Sequence, residues 1–292
     1  MKNVKTGHKK PIVCLDAGHY GKYNRSPVVP EYYESDMNWK LHLLLKAELE
    51  KYGIQVKTTR ADKAKDLGLE ARGKASKDCD LFISLHSNAA SSESVKYVAA
   101  MYMVDDNCGA MDEQSKQFAL LLAESVAAVM HLPYNTWTSK SSSDRDGNGY
   151  KDDYYGVLRG AHTVHTPGVI IEHGFHTNTA TTKWLLNDSN LKNLAEAEAK
   201  TIAKWFDVEE KEEKPVTFTL TLTELSEGAE GAQVKALQQL LMANGIKLPK
   251  YGADADFGAE TKAGVIEYQR KVNLSADGIA GPNTWKSLLG IK

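Results

Sequence analysis

The fold of this chain is best read from Asp80-Leu-Phe-Ile-Ser-Leu-His-Ser-Asn88. The apolar run with polar residues on both sides predicts a short buried strand that ends near His86. In open α/β sheets, the loops at the carboxyl ends of the strands form the crevice in which ligands bind. We therefore expect His86 to lie at such an edge.

Two further stretches share this design. Pro11 to Gly21 is an apolar run that opens into a glycine-flanked turn carrying His19, and Gly168 to Gly174 is a strand that ends near Glu172. If the three strands are neighbours in one sheet, two imidazoles and a carboxylate converge on one edge, as in a metal site. The strands alone do not identify a third metal ligand.

Glu34 precedes a predicted helix. Apolar residues recur at helical spacing from Met37 to Tyr52, and Ser35 or Asp36 is expected to cap the first turn. This position puts the Glu34 carboxylate near the positive end of the helix dipole. Two interpretations remain open at this point, an ordinary N-terminal helix acid and a metal ligand.

Strands and helices alternate along this part of the chain. Such alternation predicts a three-layer α/β domain with helices on both faces of the sheet. The further predicted strands are 54–58 and 96–104, and the further predicted helices are 67–78, 110–130, 178–187 and 191–206.

The composition is that of an ordinary globular protein, with 42% hydrophobic and 25% charged residues. A formal net charge of −2 argues against nucleic acid as the main partner. The apolar run after the basic N-terminus is too short for a signal peptide, and no run approaches the length of a membrane span. We therefore expect synthesis in the cytoplasm and no membrane span.

Cys14 lies in a predicted strand, where a buried, inert thiol is expected.

The segment 139–153 is rich in serine and acidic residues. Oxygen-bearing side chains alternate in it before a glycine, as in the first half of a calcium-binding loop. These positions are Asp144, Asp146, Asn148 and Gly149. The glutamate expected at the twelfth position is absent, because Tyr155 stands there. Calcium binding and a solvated loop near the crevice both remain open.

A charged run from Asp207 to Lys214 indicates a linker before the last part of the chain. In that last part, Asp254 to Thr261 is echoed by Asp277 to Thr284, each with an acidic turn, an apolar residue and a glycine before a helix. This duplication predicts a small helical domain. It contains no His/Glu cluster, so we expect the chemistry in the first domain.

Four blocks of the first domain together resemble the zinc-dependent N-acetylmuramoyl-L-alanine amidases of the amidase_3 type. They are Asp16-Ala-Gly-His19-Tyr-Gly21, Glu34 with Asn38, Ser84-Leu-His86-Ser-Asn88 and Ile171-Glu172-His-Gly-Phe175-His-Thr-Asn178. The resemblance implies that His19, Glu34 and His86 hold Zn²⁺ and that Glu172 is the catalytic carboxylate. It also implies an α/β fold with a mixed, twisted sheet flanked by helices. His173 and His176 depart from the family pattern, which leaves both a role beside the metal and a purely structural role open.

The tail resembles a three-helix peptidoglycan-binding domain. The blocks that carry this resemblance are Gly231 to Gln238, Phe257-Gly258, Tyr268-Gln269 and Asp277 to Trp285. Ala255 stands where that family usually has glycine. The expected domains are therefore a catalytic domain over 10–207, a linker over 208–224 and a peptidoglycan-binding domain over 225–292.

The resemblance implies hydrolysis of the amide bond between N-acetylmuramic acid and L-alanine in bacterial peptidoglycan by a zinc-activated water. Two other functions remain open, a zinc-dependent polysaccharide deacetylase and a non-catalytic cell-wall-binding protein. As a cell-wall lytic amidase, the chain is expected to be a phage or prophage endolysin or an autolysin. It would act at the cell wall after release, with a holin-type pore as one route.

Overall fold

The computed structural model describes residues 10–104, 109–141, 143–145, 149–210 and 221–291. The chain divides into two compact units, Met1–Glu213 and Lys214–Lys292. Each unit has a hydrophobic core of its own. Within the described residues, no helix has both the length and the apolar character that crossing a bilayer requires.

Six strands form the sheet of the first unit. They are β1 (Ile12–Ala17), β2 (Gln55–Thr58), β3 (Leu81–Asn88), β4 (Val98–Tyr102), β5 (Tyr134–Trp137) and β6 (Gly168–Phe175). Their order across the sheet is β2-β1-β3-β6-β4-β5. Neighbouring strands run parallel, except that β4 and β6 are antiparallel. The sheet is therefore mixed, and β1, β3 and β6 are direct neighbours as expected.

Helices cover both faces of this sheet. They are α1 (Glu34–Lys51), α2 (Leu69–Lys74), α3 (Gly109–Met130), α4 (Gly156–His162), α5 (Thr179–Leu185) and α6 (Asp188–Trp205). Successive side chains of a strand point to opposite faces. Leu15 and Leu85 accordingly pack with α1, α3 and α6, whereas the buried thiol of Cys14 packs with Phe82 and α4. The predicted three-layer α/β arrangement is confirmed.

The first turn of α1 differs from the expected one. Ser35 and Asp36 lie inside the helix, and Tyr33 is the N-cap residue without a capping side-chain hydrogen bond. The Ser35 hydroxyl instead accepts a hydrogen bond from the Tyr23 amide (2.8 Å) and donates one to the Gly21 carbonyl (2.9 Å). The predicted cap is wrong because Ser35 holds the loop that precedes the helix.

The second unit contains three helices, α7 (Ala232–Ala243), α8 (Ala259–Lys271) and α9 (Pro282–Leu288). Each of the two repeated turns is organised by one buried glutamine amide, Gln238 for the first turn and Gln269 for the second. The amides donate over 2.7–3.1 Å to equivalent acceptors, which are Asp254, Asp256 and Thr261 in one turn and Asp277, Ile279 and Thr284 in the other. The duplication seen in the sequence is thus a duplicated hydrogen-bond network.

Candidate metal centre

The candidate site residues meet at the carboxyl ends of β1, β3 and β6. His86 lies near the end of β3, and it is paired directly with Glu172 of β6. His19 follows β1 by two residues. The convergence of two imidazoles and a carboxylate on one edge of the sheet, which the three strands predicted, is present in the structure.

The turn that carries His19 is held from both sides. The His19 backbone has a φ of +61°, a left-handed conformation that a non-glycine residue rarely adopts. Arg72, which is buried, donates hydrogen bonds from its guanidinium to the carbonyls of Ala17 and His19, each at 3.4 Å. The Gly18 amide donates to the Leu85 carbonyl (3.0 Å), which ties the turn to β3.

Gly18 lies directly beneath the His86 ring. A Cβ atom added at this position would stand 2.3 Å from the imidazole. Only glycine therefore allows the ring to lie against the backbone of the turn.

Glu34 brings the two histidines together. It is the first residue of α1, and its Oε1 lies 2.8 Å from Nδ1 of His86 while its Oε2 lies 3.2 Å from Nε2 of His19. The donor atoms of the three residues all lie within 4.8 Å of one another. Among the described residues, this is the group of histidine, cysteine and acidic side chains with a geometry suited to a metal ion.

Three further groups donate to the Glu34 carboxylate. They are the Ser87 amide (3.0 Å), the Asn24 side-chain amide (2.7 Å) and the Asn38 side-chain amide (3.4 Å). Asn38 belongs to the second motif block, whereas the sequence analysis missed the parts played by Asn24 and Ser87. No spacing in the sequence distinguishes Asn24 from other loop residues, because only the path of the loop brings it to the site.

The electrostatics of the cluster follow from burial and charge. Burial acts to raise the pKa of Glu34, but the hydrogen bonds from His19 and His86 outweigh it and hold the pKa well below its usual value. Burial likewise acts to lower the pKa of His86, and the hydrogen bond and charge of Glu34 outweigh it, raising the pKa to about 9. The cluster therefore presents an ionised carboxylate that attracts positive charge.

Glu172 differs from Glu34 in its surroundings. Burial raises its pKa to about 7, the charge of Glu34 adds to the rise, and His86 opposes it. Its Oε2 is buried and has no hydrogen-bond partner among the described residues. A carboxyl group with a pKa near neutrality and a free oxygen can both accept and release a proton.

His173 and His176 contact the backbone of β3 next to the cluster. The ring of His173 lies between the His86 carbonyl (Nδ1, 2.9 Å) and Oε1 of Glu198 (Nε2, 2.8 Å), with both side chains fully buried. His176 Nδ1 is 2.9 Å from the Ser87 carbonyl and 4.0 Å from Oε2 of Glu34. Neither ring belongs to the group of three donor residues.

A cleft of about 400 Å³ begins at His86 and Glu172. Its walls are both apolar and polar, and the residues that line it further out are Leu69, Met101, Arg145, Tyr154, Tyr155 and Arg159. An open cleft beside a buried acid and a metal-binding geometry is the usual form of a hydrolase site.

The suggested calcium loop lies partly outside the described residues, since these exclude Asp146 and Asn148. Of its remaining members, Asp144 accepts a hydrogen bond from the Gly149 amide at 2.8 Å. Asp152, in the same segment, accepts one from the Arg145 amide at 2.5 Å. Calcium binding by this segment stays a prediction.

Comparison with known proteins finds two families along the chain. Residues 13–204 match the N-acetylmuramoyl-L-alanine amidase family, and residues 230–288 match a family of peptidoglycan-binding domains. A segment of 71 residues is 51% identical to the N-acetylmuramoyl-L-alanine amidase CwlL of Bacillus licheniformis, and it amounts to 24% of this chain and 20% of that relative. The chain thus spans about a fifth of the length of this curated relative.

Solved amidase structures share the fold of the first unit. The catalytic domain of CwlV from Bacillus (Paenibacillus) polymyxa var. colistinus superposes with a TM-score of 0.55 at 21% identity, covering 68% of this chain and 99% of that one. AmiC2 of Nostoc punctiforme gives a TM-score of 0.52 at 20% identity, covering 70% and 99%. Because the family match extends over more than half of the sequence, the chain belongs to the N-acetylmuramoyl-L-alanine amidase family.

Proposed function

We propose that this chain hydrolyses the amide bond between N-acetylmuramic acid and L-alanine in peptidoglycan. The observation that carries the proposal is the cluster of His19, Glu34 and His86 beside the buried, unpartnered oxygen of Glu172. The family match supplies the substrate class, because the chain falls in a family named for this activity.

The donor set fits a catalytic zinc ion. Two imidazole nitrogens and one carboxylate are ligands that zinc prefers, and three protein ligands leave a position open for water or substrate. The ionised state of Glu34 also favours a divalent cation. We therefore assign His19, Glu34 and His86 as the zinc ligands. Bound zinc supplies Lewis-acid polarisation of the scissile carbonyl and makes a nearby water more acidic.

The residues of the chain perform the proton transfers. Glu172 takes a proton from the attacking water, whose oxygen forms a bond to the lactyl carbonyl carbon. The carbon–nitrogen bond then breaks, and Glu172 passes the proton to the nitrogen of the leaving L-alanine. The pKa of about 7 suits both steps, since general acid–base catalysis is most efficient when the pKa lies near the working pH.

In this proposal, the second unit binds the insoluble substrate of the enzyme. Residues 230–288 match a family of peptidoglycan-binding domains. In the proposed organisation, the catalytic domain covers 10–207, a linker covers 208–224 and the binding domain covers 225–292. Tethering raises the local concentration of the active site on a polymer. Removal of the residues from 216 onward should weaken co-sedimentation with cell walls, and equal binding by the truncated chain would contradict the tether.

Action at the cell wall requires release from the cell that makes the enzyme. In this proposal the enzyme is a phage or prophage endolysin or an autolysin, and a holin-type pore or lysis of the producing cell provides the route.

Product analysis tests the proposed reaction. The amidase should release intact stem peptides with a free N-terminal L-alanine from purified walls, as detected by mass spectrometry. Release of acetate would instead identify a polysaccharide deacetylase. Binding to walls without any released product from the zinc-loaded chain would identify a non-catalytic wall-binding protein.

A further inference from the structure

Three rings form a row that begins at His19 of the metal cluster and continues through Tyr23 to Tyr20. The ring of Tyr23 stacks on His19 with centroids 5.0 Å apart and an angle of 16° between the planes. Tyr20 stacks on Tyr23 at 6.0 Å and 24°. The two tyrosines are 38% (Tyr20) and 50% (Tyr23) exposed. None of the three residues lines the cleft that contains Glu172.

The loop that carries this row is fixed in place. The hydroxyl of the buried Ser35 holds both Gly21 and Tyr23 through hydrogen bonds. The Gly21 amide donates to the Lys63 carbonyl at 2.9 Å. Gly21 has a φ of +55°, so the turn between the two tyrosines needs the conformational freedom of glycine. The row is therefore preorganised, which lowers the entropic cost of binding a ligand.

The position of Glu172 sets the direction in which the substrate lies. This acid must reach the leaving nitrogen, so the peptide that departs with that nitrogen lies on the side of Glu172, in the cleft. The acyl side of the same bond carries the sugar. This sugar must therefore lie outside the cleft. The aromatic row starts at His19, which is the histidine of the cluster that does not line the cleft.

From this geometry we infer that Tyr23 and Tyr20 form a subsite for the glycan strand, while the cleft beside Glu172 takes the stem peptide. The inference rests on the proposed function and adds an orientation of the substrate to it. Aromatic side chains offer a large, rigid apolar surface. The C–H faces of pyranose rings pack on such surfaces, and the exposed ring of Tyr20, which ends the row, offers such a surface beyond His19.

The test compares soluble substrates that share one stem peptide and differ in the number of sugars. We choose fragments with one and with four sugars and measure the ratio of kcat/KM between them. The wild-type enzyme should favour the longer fragment. Tyr20→Ala should reduce this ratio by roughly three- to tenfold, the effect of losing one stacked aromatic contact. Tyr20→Phe keeps the ring and should keep the ratio.

A matched control is Tyr134→Ala. Tyr134 is 44% exposed, close to the values of the row, but it lies on β5 at the far edge of the sheet. The control should keep the wild-type ratio. A wild-type ratio of one, or an unchanged ratio in Tyr20→Ala, would overturn the glycan subsite.

A binding measurement separates this inference from the proposed reaction. In calorimetry with a peptide-free four-sugar glycan, any binding by the second unit is common to both proteins, and Tyr20→Ala should lose affinity relative to wild type at the remaining site, whether or not any bond is cleaved. If the wild type cleaves none of the fragments, the proposed reaction fails, and the calorimetric comparison still decides the subsite. Equal affinities of the two proteins would overturn it.

Discussion

His86 and Glu172 face each other directly across β3 and β6. Paired residues of parallel strands project to the same face of the sheet, so the register itself delivers a metal ligand and a proton-transfer group to one place. On its other neighbouring strand, β4, Glu172 is paired with Ala99, which has only a small side chain. The acid thus lies on the same face of the sheet as His86, beside a small neighbour on β4.

Glu172→Gln should abolish most of the hydrolysis while keeping the fold and the metal. We expect the rate of peptide release to fall by about 10² to 10⁴, the usual contribution of general acid–base catalysis. Zinc content measured by elemental analysis should stay at one ion per chain. The exposed Glu124→Gln is the control and should keep the wild-type rate. A Glu172→Gln variant with half of the wild-type rate would refute the assignment.

His86→Ala and Glu34→Gln should each lose stoichiometric zinc. The first removes an imidazole ligand, and the second replaces the ionised carboxylate that attracts the cation. Dialysis against a dilute zinc buffer followed by elemental analysis measures the retained metal. The exposed His165→Asn serves as control and should retain the ion. Full retention by both cluster variants would disprove the assigned ligand set.

The stability of the metal-free protein should depend on pH through Glu172. Burial raises the pKa of this group from 4.5 to about 7, so the folded state holds its proton more tightly than the unfolded chain does. This stabilisation is fully present below about pH 4.5 and is lost as the pH rises through 7. Between pH 5 and pH 8, the free energy of unfolding of the wild type should therefore fall relative to Glu172→Gln, by on the order of 2 kcal/mol.

Urea unfolding in the presence of a chelator measures this difference at each pH. The comparison with Glu172→Gln cancels the contributions of the other titrating groups. A difference between the two proteins that stays constant from pH 5 to pH 8 would show that burial does not perturb Glu172.

The buried pair of His173 and Glu198 should respond strongly to the loss of one partner. His173→Ala leaves a fully buried glutamate without its hydrogen bond and should cost about 3 to 5 kcal/mol in the free energy of unfolding. Replacing both residues by leucine removes the polar groups together, so this double variant should be more stable than His173→Ala. Urea unfolding of His173→Leu, Glu198→Leu and the double variant measures the coupling, and additive effects would mean that the two residues act independently.

The duplicated turn of the second unit should respond to substitutions at its two left-handed positions. Ala255 has a φ of +73° and occupies the position that Gly278 occupies in the second turn, with a φ of +75°. Left-handed backbone disfavours alanine, so Ala255→Gly should stabilise the unit by roughly 0.5 to 1 kcal/mol. Gly278→Ala is the opposite change. Its Cβ would also stand 3.0 Å from Cγ of Lys262, and the unit should lose stability.

Amide hydrogen exchange of α7 and α8 in the full chain measures both effects. Protection should rise in Ala255→Gly and fall in Gly278→Ala. A fall in protection in both variants would show that the two turns are not equivalent.

The strands and the long helices could be predicted because their patterns are local. The apolar residues of β1, β3 and β6 form continuous runs, because successive residues pack into two different cores, and α1 and α3 show long helical periodicity. The histidines at the strand ends followed from the sheet geometry. The position of Glu34 beside His86 could not be predicted in this way, because the two residues lie 52 positions apart. No local pattern reveals that the start of a helix meets the end of a strand. The family resemblance supplied that contact.

Two elements escaped prediction for physical reasons. The strand β5 has the sequence Tyr-Asn-Thr-Trp and a burial pattern that does not alternate, so it lacks the period of two that marks a strand. Helix α4 contains Gly156 and Gly160, which weaken a helical signal. Yet a Cβ on Gly160 would stand 2.1 Å from the Glu70 carbonyl, and one on Gly73 would stand 2.0 Å from the Val157 carbonyl. Gly160 thus weakens the helical signal of α4 and, together with Gly73 of α2, allows the two helices to touch through their backbones.

The contact between Gly18 and the His86 ring has a consequence for how this site can diverge. Any side chain at position 18 would displace the imidazole of His86. A residue other than glycine at position 18 therefore requires a smaller residue at position 86, so a metal ligand introduced into this turn would have to replace the histidine rather than join it.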